Sequence, residues 1–191
     1  DGMSIYNAVH HFKTITKHKW LVLDGCFRVG LYRQGLLHDL SKYSPTEFLR
    51  GIKFYQGYRS PNDAERYHNG VSLSWLHHKG RNRHHFEYWI DYCLRTDGSV
   101  YIGGCKMPKR YVAEMFCDRI AACRVYQKEK YTDASAWEYY QRAKDLKHTD
   151  ASRFMHGDTA QLLERWLELL KDRGETEAFS LIRRELKDKQ Y

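Results

Sequence analysis

Residues that stop helices are scarce in this chain, and they stand where helices begin. Its three prolines, Pro45, Pro61 and Pro108, each open a stretch with helical patterning. A proline at the first helical position loses no hydrogen bond, because the N–H there is unpaired in any case. That placement favours helices over a β-rich fold. In residues 4–28, Ile5, Val9, Phe12, Ile15, Leu23 and Phe27 recur at helical spacing and read as one apolar face. Gly30 and Gly35 flank a break, and a second helix then carries Leu36, Leu37, His38, Asp39 and Leu40. Ser44-Pro45-Thr46-Glu47 has the form of a capping box, as does Ser135-Ala136-Trp137-Glu138.

Further helices are predicted over 63–78, 83–95, 109–127 and 135–146, with a turn at Lys79-Gly80-Arg81-Asn82. The segments 159–172 and 175–188 predict a helical hairpin broken at Gly174. Only Thr96 to Gly104 has strand-and-turn character, enough for one short β-hairpin or a loop. The chain therefore reads as all-α. It forms a single domain over 1–191, with a core at about 14–127 and C-terminal helices at about 133–190.

The formal net charge of +8 favours anionic partners, whether phosphate esters, nucleotides or nucleic acid. Nucleic acid is not favoured, since no basic run or binding motif occurs. No apolar run approaches the ~18 residues of a membrane span, so no membrane partner is expected. Five cysteines without a CxxC pair argue against a zinc ribbon and for reduced thiols in the cytoplasm. Cys117 and Cys123 read as small core residues. Phe86, Tyr88, Trp75 and Trp89 read as core rather than as a base-stacking platform. Nothing in the sequence sets the oligomeric state.

The chemistry lies in the histidines. Eleven occur, and most cluster at His10, His11, His18, His38, His77, His78, His84 and His85. The sharpest local signal is Leu36-Leu37-His38-Asp39-Leu40-Ser41-Lys42. An adjacent histidine and aspartate behind two leucines are costly to bury unpaired, and a divalent metal removes that cost. Lys42 lies one turn beyond His38 and can hold a phosphate.

The order His18, His38-Asp39, Asp118 resembles the HD superfamily of metal-dependent phosphohydrolases. The stretches that carry the resemblance are "KHKW", "LLHDLSK" and "MFCDRIAA". A closer resemblance is to a bacterial family with HD-like sequences and no settled activity. It is carried by "TKHK", "GLLHDLSKYSPTEF", "WLHHKGRNRHHFEYW" and "MPKRYVAEMFCDRIAA". The resemblance implies an HD-like helical bundle with a metal held by His18, His38, Asp39 and Asp118; His11 is the alternative first ligand.

It also implies hydrolysis of a small phosphate ester, a nucleotide first among them. Asp39 and Lys42 would be catalytic, with Lys42, Lys79, Arg81 and Arg83 on the phosphate. Some members of that superfamily bind a second metal through extra histidines. His78 and His85 are the candidates here, for a second ion or for substrate, with His77 and His84 as alternates. The metal is one ion or two among Fe, Mn, Co, Ni and Zn. Two other expectations stand beside this one: an inactive scaffold that binds metal or ligand, and a basic nucleic-acid-binding module.

Overall fold

The first helix is set by a serine. Ser4 caps α1 (Ile5–Arg28), its hydroxyl accepting from the Asn7 amide at 3.0 Å. A computed structural model describes residues 4–145 and 151–188. The predicted helix end at 146 and the end of the C-terminal helices at 190 lie outside the described residues. Among the latter, the chain forms eight α-helices and one two-stranded antiparallel sheet, so the all-α reading holds.

α1 has the predicted period, but its buried face is turned about the axis, so that of the predicted apolar residues Ile15 is buried and Leu23 half-buried. Its buried side carries His11, Ile15, His18, Val22, Gly25 and Cys26, while Ile5, Val9, Phe12 and Phe27 are exposed. The reason lies in the partner. α6 (Lys109–Gln127) packs close against this side, and a Cβ on Gly25 would stand 3.1 Å from Cys117 Sγ. Small residues fit that contact, and Asp118 on α6 bonds the inward His18 at 2.9 Å.

Behind α6 lies the apolar core, with Phe116 against Trp166 and Phe179, and Leu163, Leu167, Leu170 and Ile182 around them. Cys117 and Cys123 are buried there, and all five cysteines are free thiols. α7 (Ser135–Asp145) and α8 (Gly157–Glu185) close this side. Within α8, Gly174 takes φ 76° and ψ 172°, a conformation open to glycine and strained for other residues. The chain reverses there. Trp166 Nε1 reaches Glu185 Oε2 at 3.0 Å, although 19 residues separate them. A straight helix would part them by ~28 Å. The predicted C-terminal helical hairpin is thus present.

Three predicted spans are corrected. α2 (Tyr32–Leu37) ends before the His-Asp pair; His38 is extended, and Asp39 is left-handed at φ 54° and ψ 25°. A 3-10 turn, Leu40–Tyr43, follows. The span 63–78 is two helices, α4 (Pro61–Asn69) and α5 (Leu73–Lys79), because Gly70 turns left-handed and Ser72 caps anew through Trp75 N–H at 3.0 Å. The span 83–95 is not helical. After the 3-10 turn Phe86–Trp89 it forms β1 (Ile90–Leu94), which pairs with β2 (Val100–Gly104) from Ile90↔Gly104 to Leu94↔Val100. A short aromatic and β-branched run suits either period, and the partner strand decides it.

Neither capping box closes. Ser44 precedes α3 (Pro45–Lys53), but its hydroxyl makes no capping bond, and the Ser135 hydroxyl accepts from Thr132 N–H instead. Of the four aromatics read as core, Phe86 is buried, Trp75 and Trp89 are half-buried and Tyr88 is exposed. No helix among the described residues is long and apolar enough to cross a membrane.

Candidate metal centre

Asp39 organises the site through its backbone. The left-handed conformation is rare for L-residues, although aspartate tolerates it better than most. It sets the carboxylate between two groups of buried imidazoles. On one side, Oδ2 lies 3.3 Å from His38 Nε2 and 3.7 Å from His18 Nε2. Asp118 Oδ1, from α6, completes that group at 2.9 Å from His18 Nε2 and 3.5 Å from His38 Nε2. On the other side, Oδ1 lies 3.4 Å from His78 Nε2 and 3.4 Å from His84 Nε2. His85 Nε2 stands 2.9 Å from His78 Nε2.

Within each group of four residues the donor atoms lie within 4.8 Å of one another. Nitrogen and oxygen donors bound tetrahedrally at ~2.1 Å sit ~3.4 Å apart, so these separations suit one cation per group. A second observation agrees. His38 Nε2, His84 Nε2 and Asp39 Oδ1 are buried without a hydrogen-bond partner, while Asp39 Oδ2 has the Lys42 ammonium beside it. Leaving such a group unsatisfied costs about 1–3 kcal/mol, more when it is charged. A divalent ion removes that cost, and the donor set fits one.

Two carboxylates hold the imidazoles from behind. Glu114 Oε1 accepts from His38 Nδ1 at 2.9 Å and lies 3.2 Å from His84 Nδ1, while its Oε2 accepts from Gln34 Nε2 at 2.6 Å. Glu47 Oε2 accepts from His78 Nδ1 at 2.8 Å, and its Oε1 accepts from His77 Nδ1 at 2.7 Å. With Nδ1 bonded to these carboxylates, Nε2 is the ring atom turned toward Asp39, and an ion bound there would take the place of the Nε2 proton.

The charges follow. Burial alone would raise Glu114, but the bonds from His38 and His84 outweigh it and hold the carboxyl at about 2. Burial likewise opposes ionisation of Asp39 and Asp118, yet His38, Lys42 and His78 hold Asp39 well below the usual range, and His18 and His38 do so for Asp118. His38 is raised well above its ordinary value: burial acts against this, and Asp39, Asp118 and Glu114 prevail. Burial, then the neighbouring His84 and His78, push His85 well down.

The structure brings together His18, His38, Asp39, Asp118, His78 and His85. His84, an alternate in the sequence reading, joins them. His11 does not. It packs on Gly51 and between the rings of Phe48 and Tyr55. His77 bonds to Glu47 at the edge and belongs to neither group.

Lys42 reaches the centre, with Nζ 2.5 Å from Asp39 Oδ2 and a side chain 25% exposed, though by the 3-10 turn and not along a helix. Among the described residues, Lys79, Arg81 and Arg83 make no ion pair or hydrogen bond to these groups. Arg81 bonds the His77 carbonyl, and Arg83 the Tyr111 hydroxyl. Sequence reasoning missed Glu114 and the role of Glu47. Glu114 had a signal, lying one helical turn before Asp118 on the same face of α6.

Fold and site define an all-helical protein whose histidine–carboxylate centre suits divalent metal ions. The chain belongs to the family of unknown function DUF5662, whose model matches residues 7–169 and so encloses every residue of the centre. No curated protein and no solved structure matches it.

Proposed function

We propose that this protein is a metal-dependent phosphohydrolase of the HD type, with two adjacent divalent-ion sites, acting on a small phosphate ester such as a nucleotide. One observation carries the reading: the Asp39 carboxylate stands between two groups of buried imidazoles, its Oδ1 without a hydrogen-bond partner and its Oδ2 paired with Lys42. The order His18, His38-Asp39, Asp118 and its likeness to the HD superfamily support it. Bound ions would supply a Lewis acid for the phosphoryl group and an activated water.

The chain's own residues do the rest. Asp39, facing both groups, serves as a shared ligand rather than as a base. Asp118 is the most open side chain of the first group, 16% exposed, and Lys42 beside that group is 25% exposed, so the phosphate approaches on their side. There the Lys42 ammonium, held charged chiefly by Asp39 despite its burial, neutralises phosphate oxygens. Glu114 and Glu47 keep the imidazoles oriented. The net charge of +8 draws anionic substrates toward the protein.

The test is a phosphate-release screen on protein stripped with chelator and reloaded with Mn²⁺ or Co²⁺. It covers nucleoside mono-, di- and triphosphates, cyclic nucleotides and sugar phosphates. Turnover of at least one, abolished by chelator and by His38→Ala, is expected. Full metal loading with no turnover across the panel would overturn the assignment as an enzyme and leave a binding scaffold.

A further inference from the structure

Nothing about the two sites requires them to share a support, yet they do. His38 belongs to the first group and His84 to the second. Their Nδ1 atoms lie 2.9 and 3.2 Å from the same atom, Glu114 Oε1. The other oxygen of Glu114 is held by Gln34 Nε2 at 2.6 Å, and that amide also bonds the Arg110 carbonyl at 3.2 Å. Gln34 lies on α2, the helix that ends at His38. Glu114 is itself buried on α6, one turn before Asp118. One carboxylate therefore fixes an imidazole in each site and ties both to the helix that carries Asp118. The second carboxylate, Glu47, is different, because of its two histidines only His78 belongs to a site.

We propose that Glu114 is a positioning residue for both sites at once, so that metal loading of the two is interdependent, whereas Glu47 positions the second site alone. The proposal rests on the two-ion reading above. Its physics is orientational. An ion on His38 Nε2 fixes that ring and with it the Glu114 carboxylate, so the ordering needed to present His84 is already in place for the next ion. Glutamine at 114 has the same shape but one acceptor. Its amide nitrogen must face either both imidazole N–H groups, which then lose their shared acceptor, or the Gln34 amide, which then loses its own, and in either case the negative charge behind both imidazoles is gone.

The experiment reads Mn²⁺ alone, by the free-ion electron paramagnetic resonance signal during titration. Single-site backgrounds separate the groups: His78→Ala disables the second, and His18→Ala the first. Glu114→Gln is expected to weaken Mn²⁺ binding roughly 10–100-fold in both backgrounds, the range for loss of such an outer partner. Glu47→Gln is expected to do so in the His18→Ala background only. In the otherwise unchanged protein, two equivalents are expected to bind in one cooperative step, and Glu114→Gln to split it in two.

If Glu114→Gln fails to fold by circular dichroism, Gln34→Ala, at a half-buried position, takes its place with a smaller loss in both backgrounds. A loss confined to one background overturns the proposal while leaving the two-ion reading intact. Failure of the unchanged protein to bind Mn²⁺ overturns both.

Discussion

Replacing Asp39 separates its carboxylate from its backbone. Asp39→Gly and Asp39→Ala both delete the carboxylate, so both are expected to lose both metal equivalents. They differ in the chain. At φ 54° and ψ 25° the left-handed conformation costs an L-residue about 1–2 kcal/mol, and glycine almost nothing. Elsewhere alanine is the more stable of the two by about 0.5–1 kcal/mol. The order should reverse here, with the glycine variant more stable by about 1 kcal/mol.

Both should fall below the parent protein once metal is removed. His38 and Lys42 then lose their counter-charge, and breaking a buried pair costs about 3–5 kcal/mol. The partial exposure of Lys42 sets the loss toward the low end. Urea unfolding of chelator-treated proteins measures the stabilities, and Mn²⁺ titration measures the sites. An alanine variant that still binds two equivalents would refute the shared-ligand role. An alanine variant more stable than glycine would refute the backbone argument.

Three further outcomes are expected. Lys42→Ala should leave the metal content unchanged and lower kcat/KM of the loaded enzyme by ~10²-fold, the loss typical of one electrostatic donor; loss of metal would show that Lys42 supports the site instead. Gly51→Ala should lower stability by about 1–3 kcal/mol, because its Cβ would meet His11 Nε2 at 2.1 Å, and overpacking outweighs the helix gain of about 1 kcal/mol; an unchanged melting temperature would refute the contact. His11 is lowered from 6.5 to about 4, by burial first and then by Lys42, so its contribution to stability is full above pH 6.5 and is lost as pH falls toward 4. His11→Gln should therefore flatten unfolding free energy over that window by up to ~1.4 kcal/mol per pH unit, and an unaltered slope would contradict the assignment.

The sequence disclosed the helices and the ligands better than the way they meet. Helical spacing, the glycine break at 174 and the proline-led starts at 45, 61 and 109 were legible, because they are local. The face of α1 was not. Apolar residues normally mark the buried side, but here His18 goes inward to meet Asp118, a hundred residues away on α6, and His11 goes inward to pack on Gly51 of α3.

The His38-Asp39 pair was legible as chemistry and misread as helix, because a left-handed aspartate carries no glycine to announce it. Glu47 looked like a capping residue from its spacing to Ser44. Its preference for His77 and His78 depends on the packing of α3 on α5. In the histidine-rich segment, residue type suggested ligands. Which imidazoles face Asp39 depended on the turn after α5, and three of the four do.

The most direct test of the account is anomalous scattering from crystals of the protein grown with Mn²⁺. Two peaks are expected, one on each side of the Asp39 carboxylate: the first among His18, His38, Asp39 and Asp118, the second among Asp39, His78, His84 and His85. A structure in which Asp39 binds only His38 and Lys42, with no Mn²⁺ peak beside it, would contradict the central claim.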